Sequence, residues 1–540
     1  MVSEVSDLSV LVVEHQTNMR TQMRGMLADC GIGKVHIAHT AGAAVRKLHD
    51  NLYDLILCEY NLGEGQDGQH FLEDIRSHHL VPLSTIFIMV TGESSYERVV
   101  SAAELAPNDY ILKPFALDRL QERLERALTK RAAFLPAWTF IESGQALEAI
   151  EACIEGEKAH PQFAIDFLRL RAELLTTTGR PEEAQALYRQ VLERRAVPWA
   201  KLGVAKTLYM TKRFDEAEQT LLGLLGENEA YLDAWDWLAR TREVVGELKS
   251  ARLALEKAAS ISPHVLKRLR KIGEVALQLG DLDAAEKTLA EVVRKSKYSD
   301  FRDPEDHVRL VKAQLGAGAQ DRAAATLRDL DRSMQGQPKT ELCSALGSAL
   351  LHTQSGDSLK ATEEASRATT LLDSHQAFSL SIKQDLARIC LEHNLEDKAA
   401  EVVMDILRHA TSDTEIDGVK GMLTELGRPQ MGEALAQRMR SDVREMMAEG
   451  AQLAQRGDYE AAVKHMTAAA QRMPGNTLVL YNASLSLLKY IEHCGWDDRY
   501  ANHARGLIER LSRQDPGNTR LSALHAYFEG LQKRYGKRPG

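Results

Sequence analysis

The chain has 540 residues, 27% of them charged and 44% hydrophobic, and its formal net charge at pH 7 is −9. A chain of this length predicts several domains or an array of repeats, with ample apolar residues for a core. The acidic balance argues against a nucleic-acid-binding surface, which would need clustered Lys and Arg.

Cysteine spacing and hydropathy indicate the compartment. The six cysteines lie far apart and include no C-x-x-C pair. We therefore expect buried, reduced thiols, as in a cytoplasmic protein. The N-terminal segment carries acids where a signal peptide needs bases, and no stretch is apolar enough to cross a bilayer. The sequence thus predicts a soluble cytoplasmic chain with no membrane partner.

Short β-rich runs alternate with amphipathic helical stretches over the first 129 residues. Such alternation predicts βαβ units and a five-stranded parallel sheet, with the flavodoxin-like strand order 2-1-3-4-5. A last helix begins near residue 117 and continues without a glycine until Pro136. The predicted strands are 9–13, 35–38, 55–58, 85–90 and 110–112, and the predicted helices before the last are 18–29, 41–50, 68–79 and 96–105.

Ionisable and hydroxyl side chains stand where four of these strands end. Glu14 and His15 follow the first strand, Glu59 ends the third, Thr91 follows the fourth, and Lys113 follows the fifth and precedes a proline. The carboxyl ends of strands in open α/β sheets are where ligands bind. These side chains are therefore candidates for one shared site.

This constellation resembles the receiver domain of two-component response regulators, over roughly residues 8 to 130. That family has an acidic pair, a phospho-accepting Asp, a Thr or Ser, and a Lys-Pro in this order. Thr91 and Lys113 match the last two. Glu59 stands in place of the acceptor Asp, and Glu14 with His15 in place of the acidic pair.

The resemblance implies chemistry that these substitutions weaken. In receivers an acidic triad holds Mg²⁺, and the Asp attacks a phosphoryl group whose charge Thr and Lys then meet. His15 is a poor ligand for a hard cation, so we expect no Mg²⁺ site, or a weak one at Glu14 and Glu59. The extra methylene of Glu59 moves its carboxylate by about 1.5 Å towards Thr91 and Lys113. Such a displacement damages a near-attack geometry.

Three interpretations of this site remain open. In the first, Glu59 imitates the phosphorylated state by pairing with Lys113 and Thr91, which biases the domain permanently towards its active surface. Tyr110 stands at the position of the family's switching aromatic, and the predicted helix 96–105 belongs to the family's output face. In the second, the site is inert: Glu14, His15, Glu59 and Lys113 satisfy one another's charges, and the domain is a folded dock. In the third, the domain is a conventional switch that accepts a phosphoryl group, and a histidine kinase is a possible partner.

From residue 130 to the C-terminus the sequence predicts an all-α array with an internal period. Up to Ala399 one Ala recurs at gaps of 33 to 38 residues, and in most units a Gly lies five residues before it. A weaker unit centred on Gly427 and Gly432 follows, and the pattern returns in a unit that contains Gly450 and Ala462. The pattern resembles tetratricopeptide repeats, in which a small residue lets two antiparallel helices cross closely. The final helices would form a cap. The recurring alanines are Ala149, Ala184, Ala217, Ala251, Ala285, Ala323, Ala361, Ala399 and Ala462.

Stacked helix pairs form a concave groove that binds peptides or proteins, so we expect protein partners and no enzymatic activity. Nucleotide-binding and hydrolase fingerprints are absent from the sequence. A general scaffold and an adaptor that delivers a client protein are both compatible with this pattern. The resemblance also makes a homodimer through the receiver possible. The candidate groove residues, which solvated helix faces would equally explain, are Arg169, Glu173, Asp236, Arg240, Arg270 and Glu274.

Overall fold

The computed structural model describes residues 6–63, 66–92, 107–263, 265–337, 339–372, 378–411, 413–515 and 520–536. A five-stranded sheet flanked by helices comes first, and a long all-helical region follows. The chain divides into two compact units. The first comprises Met1–Leu174 with Glu182–Asp306, and the second comprises Leu175–Pro181 with His307–Gly540.

The sheet is fully parallel and has the predicted order β2-β1-β3-β4-β5. Every residue of β3 and β4 is buried, because helices cover both faces of a parallel sheet and its central strands are apolar runs. The strands are β1 Ser9–Val13, β2 Lys34–Ala38, β3 Leu55–Glu59, β4 Ile86–Thr91 and β5 Asp109–Leu112.

Helices pack on both faces of this sheet. Helices α2 and α3 share one apolar core with alternate residues of the central strands, and α1 and α4 share the other. The predicted helix at 96–105 lies outside the described residues. The helices are α1 Thr17–Asp29, α2 Ala41–Asp50, α3 Gly68–Ser77 and α4 Leu117–Glu142.

Helix α4 belongs to both parts of the chain. It runs unbroken through Pro136, so the expected domain boundary between residues 129 and 130 falls inside a continuous helix. Its N-terminal half packs on the sheet through Leu120 and Leu124. Further along it, Arg131 forms a 2.6 Å ion pair with Asp54, which precedes β3. No flexible linker therefore separates the sheet from the first repeat.

The helical region of the first unit consists of antiparallel pairs joined by short turns. A single 3₁₀ turn, Pro161–Phe163, precedes α6. The helices are α5 Ala146–Ala159, α6 Ala164–Thr177, α7 Pro181–Arg194, α8 Pro198–Met210, α9 Phe214–Glu227, α10 Leu232–Val244, α11 Leu248–Ile261, α12 Leu266–Gln278 and α13 Leu282–Ser296.

The helices that follow continue the same arrangement. They share one continuous hydrophobic core in the second unit. They are α14 Pro304–Gly316, α15 Gln320–Ser333, α16 Thr340–Gln354, α17 Ser358–Thr370, α18 Leu380–Glu392, α19 Glu396–His409, α20 Asp413–Glu425, α21 Pro429–Gln455, α22 Tyr459–Arg472, α23 Thr477–Cys494, α24 Asp498–Gln514 and α25 Leu521–Arg534.

The periodic pattern corresponds to the packing. All nine recurring alanines are at most 1% exposed, as a close helix crossing requires. The turn glycines five residues earlier have positive φ, for example +86° at Gly246. Lys212 and Asn394 take the same left-handed conformation in the two units that lack the glycine.

One stretch differs from the expected division into units. The sequence indicated a weak unit around Gly427 and Gly432 and a new unit near Gly450. The structure joins the second helix of the former and the first helix of the latter into the 27-residue α21. Helices α23, α24 and α25 then close the array, as expected for a cap.

The thiols only partly match the expectation of uniform burial. Cys58, Cys153, Cys343 and Cys390 are buried, whereas Cys494 is exposed at the C-terminal end of α23. Throughout the described ranges, no helix combines the length and apolar character needed to span a bilayer.

Candidate functional site

Three strands deliver two carboxylates and one ammonium group to a single point at the edge of the sheet. Lys113, after β5, has its Nζ 2.7 Å from Oε2 of Glu14, which follows β1. The same Nζ contacts Oε2 of Glu59 at the end of β3. Glu14 is fully buried and Glu59 is 6% exposed. One ammonium therefore compensates two carboxylates in a region of low dielectric constant.

The other oxygen of each carboxylate is also engaged. Oε1 of Glu14 accepts the backbone N–H of Gln16 at 2.9 Å and lies 3.3 Å from Nδ1 of His15. Oε1 of Glu59 accepts the backbone N–H of Asn61 at 3.0 Å. Glu14, His15, Glu59 and Lys113 thus form one connected polar cluster.

The remaining two candidates lie on the neighbouring strands. Thr91 is the buried last residue of β4, and its carbonyl accepts the backbone N–H of Lys113 at 2.7 Å. The Glu59 carboxylate bonds with the Asn61 amide and with the Lys113 ammonium. Tyr110 lies on β5, and its ring packs against the core formed by α2, α3 and the sheet.

The start of α3 also belongs to the site, although the analysis of motifs did not single it out. A Cβ added at Gly68 would lie 2.2 Å from the Glu59 carbonyl oxygen, so only glycine fits. The Gly68 N–H donates to the Tyr60 carbonyl at 2.8 Å, and Asp67 caps the helix by accepting the His70 N–H. The Asp-Gly pair after β3 was the available signal for this close approach.

The donor set does not fit a Mg²⁺ ion. Mg²⁺ needs octahedral oxygen coordination, with carboxylates free to bind it. Both carboxylates here are held by Lys113 and by backbone amides, and His15 stands where the family has an acid. Among the described residues no group of three or more His, Cys, Asp or Glu could hold a metal. A Mg²⁺ ion would have to displace the Lys113 ammonium.

The predicted groove residues divide between two cavities of the first unit. Arg169 and Glu173 form an ion pair with each other at 2.9 Å on α6 and line a cavity beside α4. The other four line a second cavity of about 520 Å³ between α10 and α12. These four are Asp236, Arg240, Arg270 and Glu274.

Several charges that line the second cavity are paired structurally. Arg268 forms two hydrogen bonds with Asp236, of 2.9 and 2.8 Å, and Arg270 lies 2.8 Å from Asp306. Such fork-like pairs fix side chains in place. Asp236 and Arg270 therefore shape the groove wall.

Trp237 is the groove residue that the sequence analysis missed. Its ring lies between two cations, with Lys206 Nζ 5.4 Å and the Arg240 guanidinium 4.8 Å from its centroid. Burial lowers the pKa of Lys206, and burial raises the pKa of Asp233 at the same cavity. Trp235 and Trp237 stand two residues apart in the sequence, and this pair was the available signal for an aromatic residue in the groove.

With this geometry established, family models identify both regions. Residues 10–125 match the model described as the response regulator receiver domain. Residues 175–240 match a tetratricopeptide repeat model. The chain therefore contains a response regulator receiver domain followed by a tetratricopeptide repeat region.

Two curated relatives each match a stretch about as long as the receiver region. The transcriptional regulatory protein ZraR of Salmonella typhimurium is 35% identical over 121 residues, which are 22% of this chain and 26% of that protein. ZraR of Escherichia coli strain K12 is 32% identical over 122 residues, 23% of this chain and 26% of that protein. The chain thus spans about a quarter of the length of these curated relatives.

Two solved structures are also similar to parts of this chain. The receiver domain of NtrX from Brucella abortus is 30% identical, covers 22% of this chain and 98% of its own, and has a TM-score of 0.21. A tetratricopeptide repeat protein from Parabacteroides merdae is 14% identical, covers 47% of this chain and 96% of its own, and has a TM-score of 0.32.

Proposed function

We propose that this is a two-component-type signalling protein whose receiver acts without phosphorylation and whose repeats bind partner proteins. The observation that carries the proposal is the Lys113 ammonium held between Glu59 and Glu14. In the receiver family that this chain resembles, the lysine at the position of Lys113 compensates the negative charge of the phosphoryl group. In this chain a permanent carboxylate already supplies that negative charge.

The geometry also disfavours phosphorylation of Glu59. A carboxylate that attacks a phosphoryl donor needs a free oxygen aligned with the leaving group. Both Glu59 oxygens are engaged, by Lys113 and by the Asn61 amide. Phosphorylation would require Lys113 to release Glu59 and a Mg²⁺ ion to enter a site whose donors do not fit it.

A conventional phosphorylated switch, supplied by a histidine kinase, is the second candidate function. The observation that favours it is that Thr91 and Lys113 stand at the positions that bind the phosphoryl group in the family. In either case the output is protein binding, through a scaffold or an adaptor for a client protein. A homodimer through the receiver would add a second copy of the groove.

Intact mass separates the two candidates. The full chain is incubated with acetyl phosphate and Mg²⁺, beside a matched variant that carries both His15→Asp and Glu59→Asp. The variant restores the carboxylates that the family resemblance implies, and we expect it to gain one phosphoryl mass. We expect the wild type to remain unmodified. A phosphoryl group mapped to Glu59 in the wild type would support the conventional switch and overturn the proposal.

A further inference from the structure

Helix α3 of the receiver contacts the repeat region within the same compact unit. The buried Asp74 carboxylate accepts hydrogen bonds through Oδ2 from the Ser299 hydroxyl at 2.6 Å and from the Gln66 amide at 2.5 Å. Just after α3, the His78 ring stacks on Phe301, with ring centroids 3.8 Å apart and planes inclined by 16°. Phe301 also packs against the core formed by α2, α3 and the sheet.

The segment that α3 contacts is also paired with the helix that forms one wall of the groove. Asp306, five residues after Phe301, accepts hydrogen bonds from Nε of Arg270 at 2.9 Å through both carboxylate oxygens. Arg270 lies on α12 and lines the groove cavity. The C-terminal end of α3 is therefore connected to the groove wall through residues 299–306.

The other end of α3 is fixed to the acceptor strand. Gly68 packs against the Glu59 carbonyl so closely that no Cβ fits there. The Tyr60 hydroxyl donates to Gln69 Oε1 at 3.2 Å, and the Tyr60 carbonyl accepts the Gly68 N–H at 2.8 Å. A ten-residue helix is about 15 Å long and stiff over that distance. Displacement of the β3–α3 junction consequently moves Glu73 and Asp74 as well.

We propose that α3 is a lever that connects the acceptor site to the partner-binding groove, so that the state of Glu59 sets the position of α12. The contact of Asp74, Ser299, His78 and Phe301, which we name the α3 dock, is the coupling point. This inference rests on the proposed function, because it assumes that Glu59 controls the groove. It differs from the output face that the family resemblance implies, since α3 lies outside that face.

Hydrogen exchange of the full-length chain, measured segment by segment, tests the lever. Glu59→Gln is compared with wild type in two backgrounds: the intact chain, and a chain whose dock is broken by Ser299→Ala and Phe301→Ala. In the intact background we expect exchange in residues 267–274 to change by about threefold or more. With the dock broken, that change should vanish while the change at residues 59–70 persists. Glu14→Gln removes the negative charge of the other carboxylate that pairs with Lys113. It should change hydrogen exchange in both backgrounds in the same way as Glu59→Gln.

A matched control uses two exposed positions outside the dock. The Ser260 hydroxyl donates to the Lys257 carbonyl of its own helix, and Tyr298 is 58% exposed. Ser260→Ala with Tyr298→Ala should therefore leave the response of residues 267–274 to Glu59→Gln intact. A response that survives in the broken-dock background would overturn the lever.

The outcomes also separate this inference from the proposed function. If Glu59→Gln weakens partner capture but leaves exchange in residues 267–274 unchanged, the receiver controls the repeats by another route and the lever is wrong. If Glu59→Gln alters neither capture nor exchange, the proposed function fails together with the lever.

Discussion

Burial of the polar cluster of Glu14, His15, Glu59 and Lys113 costs folding free energy and makes its stability depend on the specific pairing of its charges. Moving a charge out of water carries a penalty of several kcal/mol unless a partner compensates it. Glu14 and Glu59 lie together in a buried site, and their mutual repulsion would add to that penalty. The Lys113 ammonium offsets both, so its removal would leave two uncompensated carboxylates.

We therefore expect Lys113→Met to destabilise the receiver by about 3 kcal/mol. The quantity to measure is the free energy of opening of β1 and β3, by hydrogen exchange of the full chain. The control is Lys130→Met, which removes an ion pair with Asp166 whose two side chains are 43% and 44% exposed. That change should cost less than about 1 kcal/mol. Equal effects of the two substitutions would show that the Lys113 pairs contribute no more than a surface ion pair.

His70 should make the start of α3 sensitive to pH. Its Nδ1 lies 2.8 Å from Asp67 Oδ1. Burial alone would lower the pKa of His70, but the hydrogen bond to Asp67 and the negative charges of Asp67 and Glu73 together outweigh burial and the Lys295 charge, so the pKa is raised above its ordinary value of 6.5. The stability that the pair contributes is then fully present below pH 6.5 and is lost as the pH rises through the raised pKa.

The opening free energy of α3 should accordingly fall between about pH 6 and about pH 8, and His70→Gln should flatten that dependence. Hydrogen exchange corrected for intrinsic rates measures it. His49→Gln, at an exposed position of α2, is the matched control and should leave the slope unchanged. A slope that persists in His70→Gln would assign the pH dependence to another group.

At the residue scale, the sequence predicted which side chains stand at the strand ends and left open how they pair. Alternating apolar runs and breaks place Glu14, Glu59 and Lys113 at one edge of the sheet. The bond between Lys113 and Glu14 spans two intervening strands, β3 and β4, and no local pattern encodes that distance. The bond between Glu59 and the Asn61 amide likewise depends on the course of the loop after β3.

The junction of β3 and α3 is the element with the least tolerance for change. Gly68→Ala should destabilise the receiver by about 3 kcal/mol, because the added Cβ meets a backbone carbonyl that cannot rotate away. Gly25→Ala is the control, since Gly25 is exposed in α1 with no atom within 4 Å of an added Cβ. It should stabilise by about 0.5 to 1 kcal/mol. Hydrogen exchange of the β3 amides, measured during thermal unfolding, compares the two variants. If Gly68→Ala left the free energy of unfolding unchanged, the close contact would be contradicted.

The turns of the repeats offer a symmetric pair of substitutions. Lys212 has φ of +60° where most units have glycine, and Gly246 has φ of +86° at the equivalent turn with open space around it. Lys212→Gly should stabilise the array by up to about 1 kcal/mol, and Gly246→Lys should destabilise it by about 1 kcal/mol. Urea unfolding followed by circular dichroism measures both. If both substitutions changed the free energy of unfolding in the same direction, the turn conformation would not determine their effect.

At the element scale, the repeats were readable because their packing demands one small residue at a fixed interval. The buried alanines met that demand in nine units. The continuous helix α21 was not readable, because Gly432 and Gly450 were assigned to separate repeat units. Both glycines are buried, and a Cβ at Gly450 would lie 2.5 Å from Met466 Sδ. Their function is close packing, which a sequence pattern cannot distinguish from a turn.

At the scale of the whole molecule, two elements join the receiver to the first repeats. Helix α4 is shared by both, and α3 contacts segment 299–301, whose continuation at Asp306 pairs with Arg270 of α12. The absence of a glycine before Pro136 in the sequence already indicated a continuous helix there, and α4 runs unbroken through Pro136. The sequence could not show the α3 contact, because Asp74 and Ser299 are 225 residues apart.

The most direct test of the account is quantitative partner capture from native lysate with full-length wild type, Glu59→Gln and Glu125→Gln. Glu125 is an exposed residue of α4 and serves as the charge-matched control. The account predicts that one protein is captured by wild type and by Glu125→Gln, and that Glu59→Gln reduces its capture by about tenfold, a difference of about 1.4 kcal/mol. Equal capture by all three would contradict it, because the repeats would then bind their partner without reference to the acceptor site.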